Sequence, residues 1–161
     1  MSKKENLRFA LNSTRSAVGK LIDDITDEES LFRGKDQLQH IRWQTGHIVY
    51  GAHLILRTLG ETVPLPDGWH DLFHRGCTFA EGTTVYPSMA EMRDKLKWYD
   101  EKISARLGEL TDAELDTTLD AEPIFETSAL NAALFLNAHA FYHAGQIAII
   151  RKLLGRERAF G

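Results

Sequence analysis

The stretch TSALNAALFLNAHAFYHAGQIAII, residues 127–150, contains no Asp, Glu, Lys or Arg. Twenty-four residues without formal charge read as a helix surrounded by protein on most sides. Within it Leu136, His139, His143, Ile147, Ile150 and Leu154 step by three and four, so they share one helical face. An isolated buried imidazole lacks hydrogen-bond partners and is costly. Two of them on one apolar face need an explanation. Positions i and i+4 stand about 5–6 Å apart at Cβ, and two imidazoles there converge on one ion at about 2.0–2.1 Å per bond. The competing reading is a pair of core histidines satisfied by neighbouring side chains.

The same stretch is long enough to span a bilayer. It also carries Asn131, Asn137, His139, Tyr142, His143 and Gln146, which are expensive at bilayer depth. No other segment resembles it, so a core helix of a protein with no membrane association is expected.

Outward from this helix, apolar periodicity marks three more. One covers residues 5–25, with Leu7, Leu11, Thr14, Val18, Leu21 and Ile25 in register. The acidic cluster Asp23, Asp24, Asp27, Glu28 and Glu29 follows and reads as a solvated connection. A second helix covers 35–59 and stops at Gly60. A third begins at Ser88, where Ser88-x-x-Glu91 makes a capping box, and runs to 107 before Gly108. The last covers 127–154, with Gly155 as its stop. Residues 60–87 form a long crossover, and Thr111-x-x-Glu114 marks a short capped turn in the connection 108–126. Strand signals are weak. The predicted architecture is all-α: a four-helix bundle in one domain spanning residues 1–161, with its long crossover between helices two and three.

The 161 residues suit a single domain, and 43% hydrophobic residues supply a core. A net charge of −4 with mixed signs gives no nucleic-acid footprint. The one cysteine, Cys77, excludes an internal disulfide and fits a reducing compartment. The polar N-terminus lacks the apolar core of a signal peptide. A cytoplasmic location is therefore expected.

A metal held by His139 and His143 needs further ligands. Helix two carries His47 in a wide uncharged arc, best placed to face the last helix, with His40 next. Gln44, one turn before His47, either orients a ligand from outside the coordination shell or is an ordinary amide on a helix flank. A rival set, His70-x3-His74-x2-Cys77, lies in the crossover and offers N, N and S ligands on a short helix. Gly76 breaks that helix just before the cysteine. The plainer reading is a short amphipathic helix from 69 to 75 that packs Leu72 and Phe73. Trp69 and Phe73 are then candidates for the wall of a pocket over the main site, since long crossovers commonly carry function.

Two segments carry a family resemblance. Trp43-Gln44-Thr45-Gly46-His47-Ile48 and His139-Ala140-Phe141-Tyr142-His143-Ala144-Gly145-Gln146-Ile147 resemble the motifs of the DinB/YfiT-like metalloenzyme family. That family places one histidine on the second helix and a pair on the last. The resemblance thus implies His47, His139 and His143 as metal ligands. It also implies a divalent metal, zinc or nickel first, and metal-dependent transfer of a low-molecular-weight thiol to a small-molecule substrate. A homodimer is a further expectation from the resemblance. No motif here selects a particular thiol.

Three neutral imidazoles leave a dication its full charge and at least one open position, the mark of catalytic zinc. The same ligands serve thiol transfer, hydrolysis by water, or binding without turnover, and imidazole suits Zn, Ni, Cu and Fe alike.

Overall fold

The computed structural model describes residues 2–33, 39–77, 85–119 and 127–159. Helix α1 (Lys3–Ile22) starts at a capping box: Ser2 Oγ accepts from the Glu5 amide at 3.2 Å, and Glu5 accepts from the Ser2 amide at 2.7 Å. Its buried residues Leu7, Leu11, Thr14, Val18 and Leu21 are those of the sequence stripe. The helix stops one turn before the expected Ile25. Its final carbonyls find arginines instead of another helical turn: Arg151 Nη1 donates to Leu21 O at 2.9 Å, and Arg93 Nη1 donates to Ile22 O at 2.9 Å and Ile25 O at 3.2 Å.

Helix α2 (Ile41–Thr58) begins later than the spacing predicts. Residues 34–38 lie outside the described residues. Gln39 and His40 are not helical, and His40 is the cap, its Nδ1 accepting from the Trp43 amide at 2.9 Å. The crossover holds a five-residue helix, α3 (Trp69–Phe73). Helix α4 (Met89–Glu109) starts with Ser88 Oγ accepting from the Glu91 amide at 3.1 Å. It runs through Gly108 to Glu109, one residue past the expected stop. The anticipated turn is α5 (Asp112–Leu115), capped by Thr111 and Glu114. A two-residue antiparallel ladder, β1 (Thr118–Leu119) with β2 (Thr127–Ser128), then leads into α6 (Ala129–Leu153).

The chain is all-α, and its principal contacts arrange the long helices as a square. Helix α2 packs on α6 and α4, and α1 packs on the same two, so α1 and α2 are diagonal partners. One core joins Leu7, Val18, Leu56, Met92, Ile103, Ile147 and Ile150 from all four helices.

Two expectations are corrected. The acidic cluster is a clamp rather than a solvated link. Arg42, 4% exposed, pairs with Asp27 at 2.9 Å and donates to Ser30 Oγ at 2.9 Å. Arg151, 5% exposed, pairs with Asp24, and Arg156 pairs with Glu29. These pairs tie the α1–α2 connection to α2 and to the end of α6. Second, α6 is not enclosed on most sides. Phe135, Phe141, Tyr142, Ile149 and Leu153 are exposed along its outer face, because each of the four helices has only two neighbours in a square bundle. Among the described residues no helix is long and apolar enough to cross a membrane.

Candidate metal centre

His47 projects from α2, and His139 and His143 from α6. These two helices are direct neighbours, and the three rings meet between them. His47 Nε2 lies 2.9 Å from His139 Nε2, and His143 Nε2 lies 3.1 Å from the same atom. All three candidate ligand atoms fall within 4.8 Å of one another. Among the described residues this is the group of His, Cys, Asp and Glu side chains that meets that spacing.

The outer nitrogens are tied down. His47 Nδ1 faces the carbonyl oxygen of Phe73, and His143 Nδ1 faces Gln44 Oε1. Both partners can only accept, so both Nδ1 atoms carry the proton. The Gln44 amide is itself oriented, its Nε2 donating to Gln146 Oε1 and to the Gln39 carbonyl at 3.3 Å. Nε2 of His47 and of His143 therefore both present lone pairs to His139 Nε2. A single N–H from His139 would have to serve two acceptors. A cation at their meeting point serves all three, and nitrogens spaced like these can each stand about 2.0–2.1 Å from one common ion. The donor set fits a divalent metal on this ground.

Electrostatics keep the ligands ready. Burial, with the adjacent His47 and His139, holds the His143 pKa down to about 3. Burial also lowers His47, against the opposing effect of the Phe73 carbonyl, and lowers His139, with Arg75 adding to the effect. All three rings are neutral near pH 7, the form that binds metal.

The motif around His47 can now be read atom by atom. Trp43 stacks on the His47 ring at 4.8 Å between centroids, and its Nε1 donates to the Leu72 carbonyl at 3.0 Å. Gln44 orients His143. Gly46 admits the Phe73 ring: a Cβ there would stand 2.2 Å from it. That close approach brings the Phe73 carbonyl to His47. On α6, Gln146 braces Gln44 while Ile147 enters the core.

The other singled-out residues fall elsewhere. His40 is a helix cap; a further histidine of α2, His53, which the sequence reading had not singled out, is buried beside Tyr99 at 5.9 Å between centroids. His70 and His74 stack on each other, and Cys77 Sγ donates to the Leu72 carbonyl at 3.2 Å. Trp69 and Phe73 are buried in the core, at 3% and 0% exposure. The cavity beside the ligands, about 400 Å³, is lined instead by His47, Tyr50, Leu54, Arg75, Phe135, Leu136 and His139, among others. Sequence reading passed over Gln146 and Arg75. Their one available signal was position: Gln146 lies three residues after His143, mirroring Gln44 three before His47.

The chain is thus a helical bundle in which three histidines meet between the second and last long helices, a group that could hold a metal ion. The DinB superfamily profile matches residues 10–147, and the chain belongs to that superfamily. A DinB-like protein from Bacillus cereus ATCC 10987 has a similar crystal structure, with a TM-score of 0.73 over 96% of this chain and 94% of that one, at 18% identity. That likeness concerns the fold. A search of the curated proteins gave no match.

Proposed function

We propose that this protein is a metal-dependent enzyme that transfers a low-molecular-weight thiol to an electrophilic carbon of a small molecule. The observation that carries the reading is the convergence of three neutral imidazole nitrogens, two of them on buried rings, His47 and His143, whose outer nitrogens are already committed. A dication held by His47, His139 and His143 would supply the charge that acidifies a thiol or a water beside it. Every other contribution comes from the chain. Phe73 and Gln44 hold two ligand rings in the tautomer that points a lone pair inward. Tyr50, Leu54, Phe135 and Leu136 give the adjoining cavity mostly apolar walls that can receive the body of a small molecule.

Thiol transfer is favoured over hydrolysis by a specific feature. The described cavity lining contains no carboxylate to serve as a general base. A thiol, with a pKa of about 8.5, needs far less help to ionise than water. Zinc or nickel suits an all-imidazole site equally. The exposed apolar face of α6 supports pairing with a second copy of the chain, which sedimentation of the pure protein tests.

The deciding experiment is elemental analysis of untagged wild-type protein beside His47→Ala, followed by a screen of thiols against electrophiles. Stoichiometric metal in the wild type alone, with metal-dependent thioether formation, is the expected result. Metal with ester or amide cleavage and no thioether would turn the reading to a hydrolase. No metal in the wild type would end it.

A further inference from the structure

Arg75 is exposed and lines the cavity beside His47 and His139. It is the one formally charged residue in that lining. Among the described residues no carboxylate pairs with its guanidinium, which is also true of Arg8, Arg57, Arg93 and Arg158; Arg75 differs from these in lining this cavity.

Arg75 is also well placed by its surroundings. It follows α3, whose Phe73 is fully buried against Gly46 and whose Leu72 carbonyl is held by Trp43. The chain then turns: the Cys77 amide donates to the His74 carbonyl at 3.2 Å, and Gly76 takes φ +85°, a conformation that favours glycine. The packing that brings the Phe73 carbonyl to His47 thus also sets Arg75 at the cavity, two residues further on.

We infer that Arg75 is a specificity-determining residue that selects a substrate or cosubstrate bearing a carboxylate, held with its apolar or aromatic body between Tyr50 and Phe135. A planar guanidinium with a free fork binds a carboxylate through two parallel hydrogen bonds. One cation in a lining with no other formal charge matches a monoanion better than a phosphate dianion. A cavity of about 400 Å³ suits a small ligand of this kind. The assignment rests on the cavity being the substrate site, but the anion contact itself is independent of the metal.

The test uses 3-phenylpropionate and its amide as probes, titrated calorimetrically into metal-free and zinc-loaded full-length protein. The metal-free wild type should bind the carboxylate about tenfold more tightly than the amide, as expected for a charge-assisted contact. Arg75→Gln should abolish that preference and leave amide affinity and zinc stoichiometry unchanged. Arg75→Lys should restore part of it, as a point charge without the fork. A preference that survives in Arg75→Gln overturns the inference. So does a preference seen only with zinc, or binding of neither probe. An Arg75-dependent preference in a protein that takes up no metal would instead sink the metalloenzyme reading and leave the anion site standing.

Discussion

The chain contains His-x3-His twice, and among the described residues only one copy joins a third histidine in a group that could hold a metal. The ring centroids of His139 and His143 are 4.5 Å apart; those of His70 and His74 are 4.6 Å apart. Spacing along a helix therefore gives the same separation in both. Orientation differs completely: the first pair stands at 86° and the second lies parallel at 5°. On α6 a neighbouring helix supplies a third ring and an amide that turns His143 inward. On α3 the helix is five residues long, His74 lies just beyond its end, and the His74 Nδ1 is taken by the His70 carbonyl at 2.8 Å. Cys77, the third member of that set, is held by the Leu72 carbonyl. What makes a ligand pair is thus the element packed against it rather than its own spacing.

The sharpest way to break this contrast is to remove ligands from each set. His47→Ala or His143→Ala should cost more metal affinity than the roughly 10–100-fold that loss of an outer hydrogen-bond partner costs. Elemental analysis after dialysis should then find those variants empty. His70→Ala, His74→Ala and Cys77→Ser should stay loaded, and a loss of metal from any of these three would move the centre to the crossover. Gln44→Leu should fall next, within that 10–100-fold range by competition with a chelator, because the His143 Nδ1–H loses its acceptor and Gln146 its donor. If Gln44→Leu binds metal as tightly as the wild type, the amide is a bystander.

Gly46→Ala probes how the crossover reaches α2. The added methyl meets the Phe73 ring at 2.2 Å, and neither the helix backbone nor a fully buried ring yields easily. A loss of about 1–3 kcal/mol in urea unfolding is expected, with weaker metal binding as the Phe73 carbonyl leaves His47. Unchanged stability would show that α3 is not seated there.

Acid gives a smaller effect with a defined sign. In the metal-free folded protein, burial holds His143 down to about 3 and His40 to about 4. The unfolded chain takes up protons on these groups below about pH 6.5. Stability present above that pH is therefore lost progressively as pH falls, until the folded rings themselves titrate near 4 and 3. Partial solvent access tempers the size. Urea midpoints of the metal-free protein at pH 7.5, 5.5 and 4.5 should decline, and His143→Gln should decline less. A flat profile would mean that the rings are solvated.

These contrasts also mark what the sequence could and could not tell. The stripe from Leu136 to Ile150 and the caps at Ser88 and Thr111 were legible because they follow from period and local chemistry, whereas spacing alone left His47 and His40 both open as partners of the last helix and the family resemblance pointed to His47. Periodicity says which residues share a face. It does not say how much of the circumference neighbours will cover, so the exposed Phe141 and Tyr142 were unforeseen. Nor does it fix the rotation of one helix against another. Gln44 and Gln146 sit off the main stripes and become an orienting pair only once α2 and α6 dock. The pairing of Arg42 and Arg151 with Asp27 and Asp24 depends likewise on where the α1–α2 connection folds back. Arginine on a wide polar face reads as solvated until its partner's place is known.

The smallest expected effect falls on the crossover's own pair. His70 is exposed, His74 is half-buried, and their stacked rings face each other rather than the core. His74→Ala removes that stack and a bond to the His70 carbonyl, while the backbone amide of residue 74 still donates to the same carbonyl. Surface substitutions with this little to lose stay within about 0.5 kcal/mol, and urea unfolding of His74→Ala should match the wild type to that margin. The comparison sharpens if His139→Ala is measured alongside in the absence of metal. His139 is also only partly buried, yet it stands against two inward lone pairs. Removing it from the metal-free protein leaves both imidazoles facing empty space, so His139→Ala should be the more destabilising of the two. Equal effects would mean that the three-ring cluster is no more tightly organised than the exposed stack, and that enclosure by α2 adds nothing that helical spacing had not already provided.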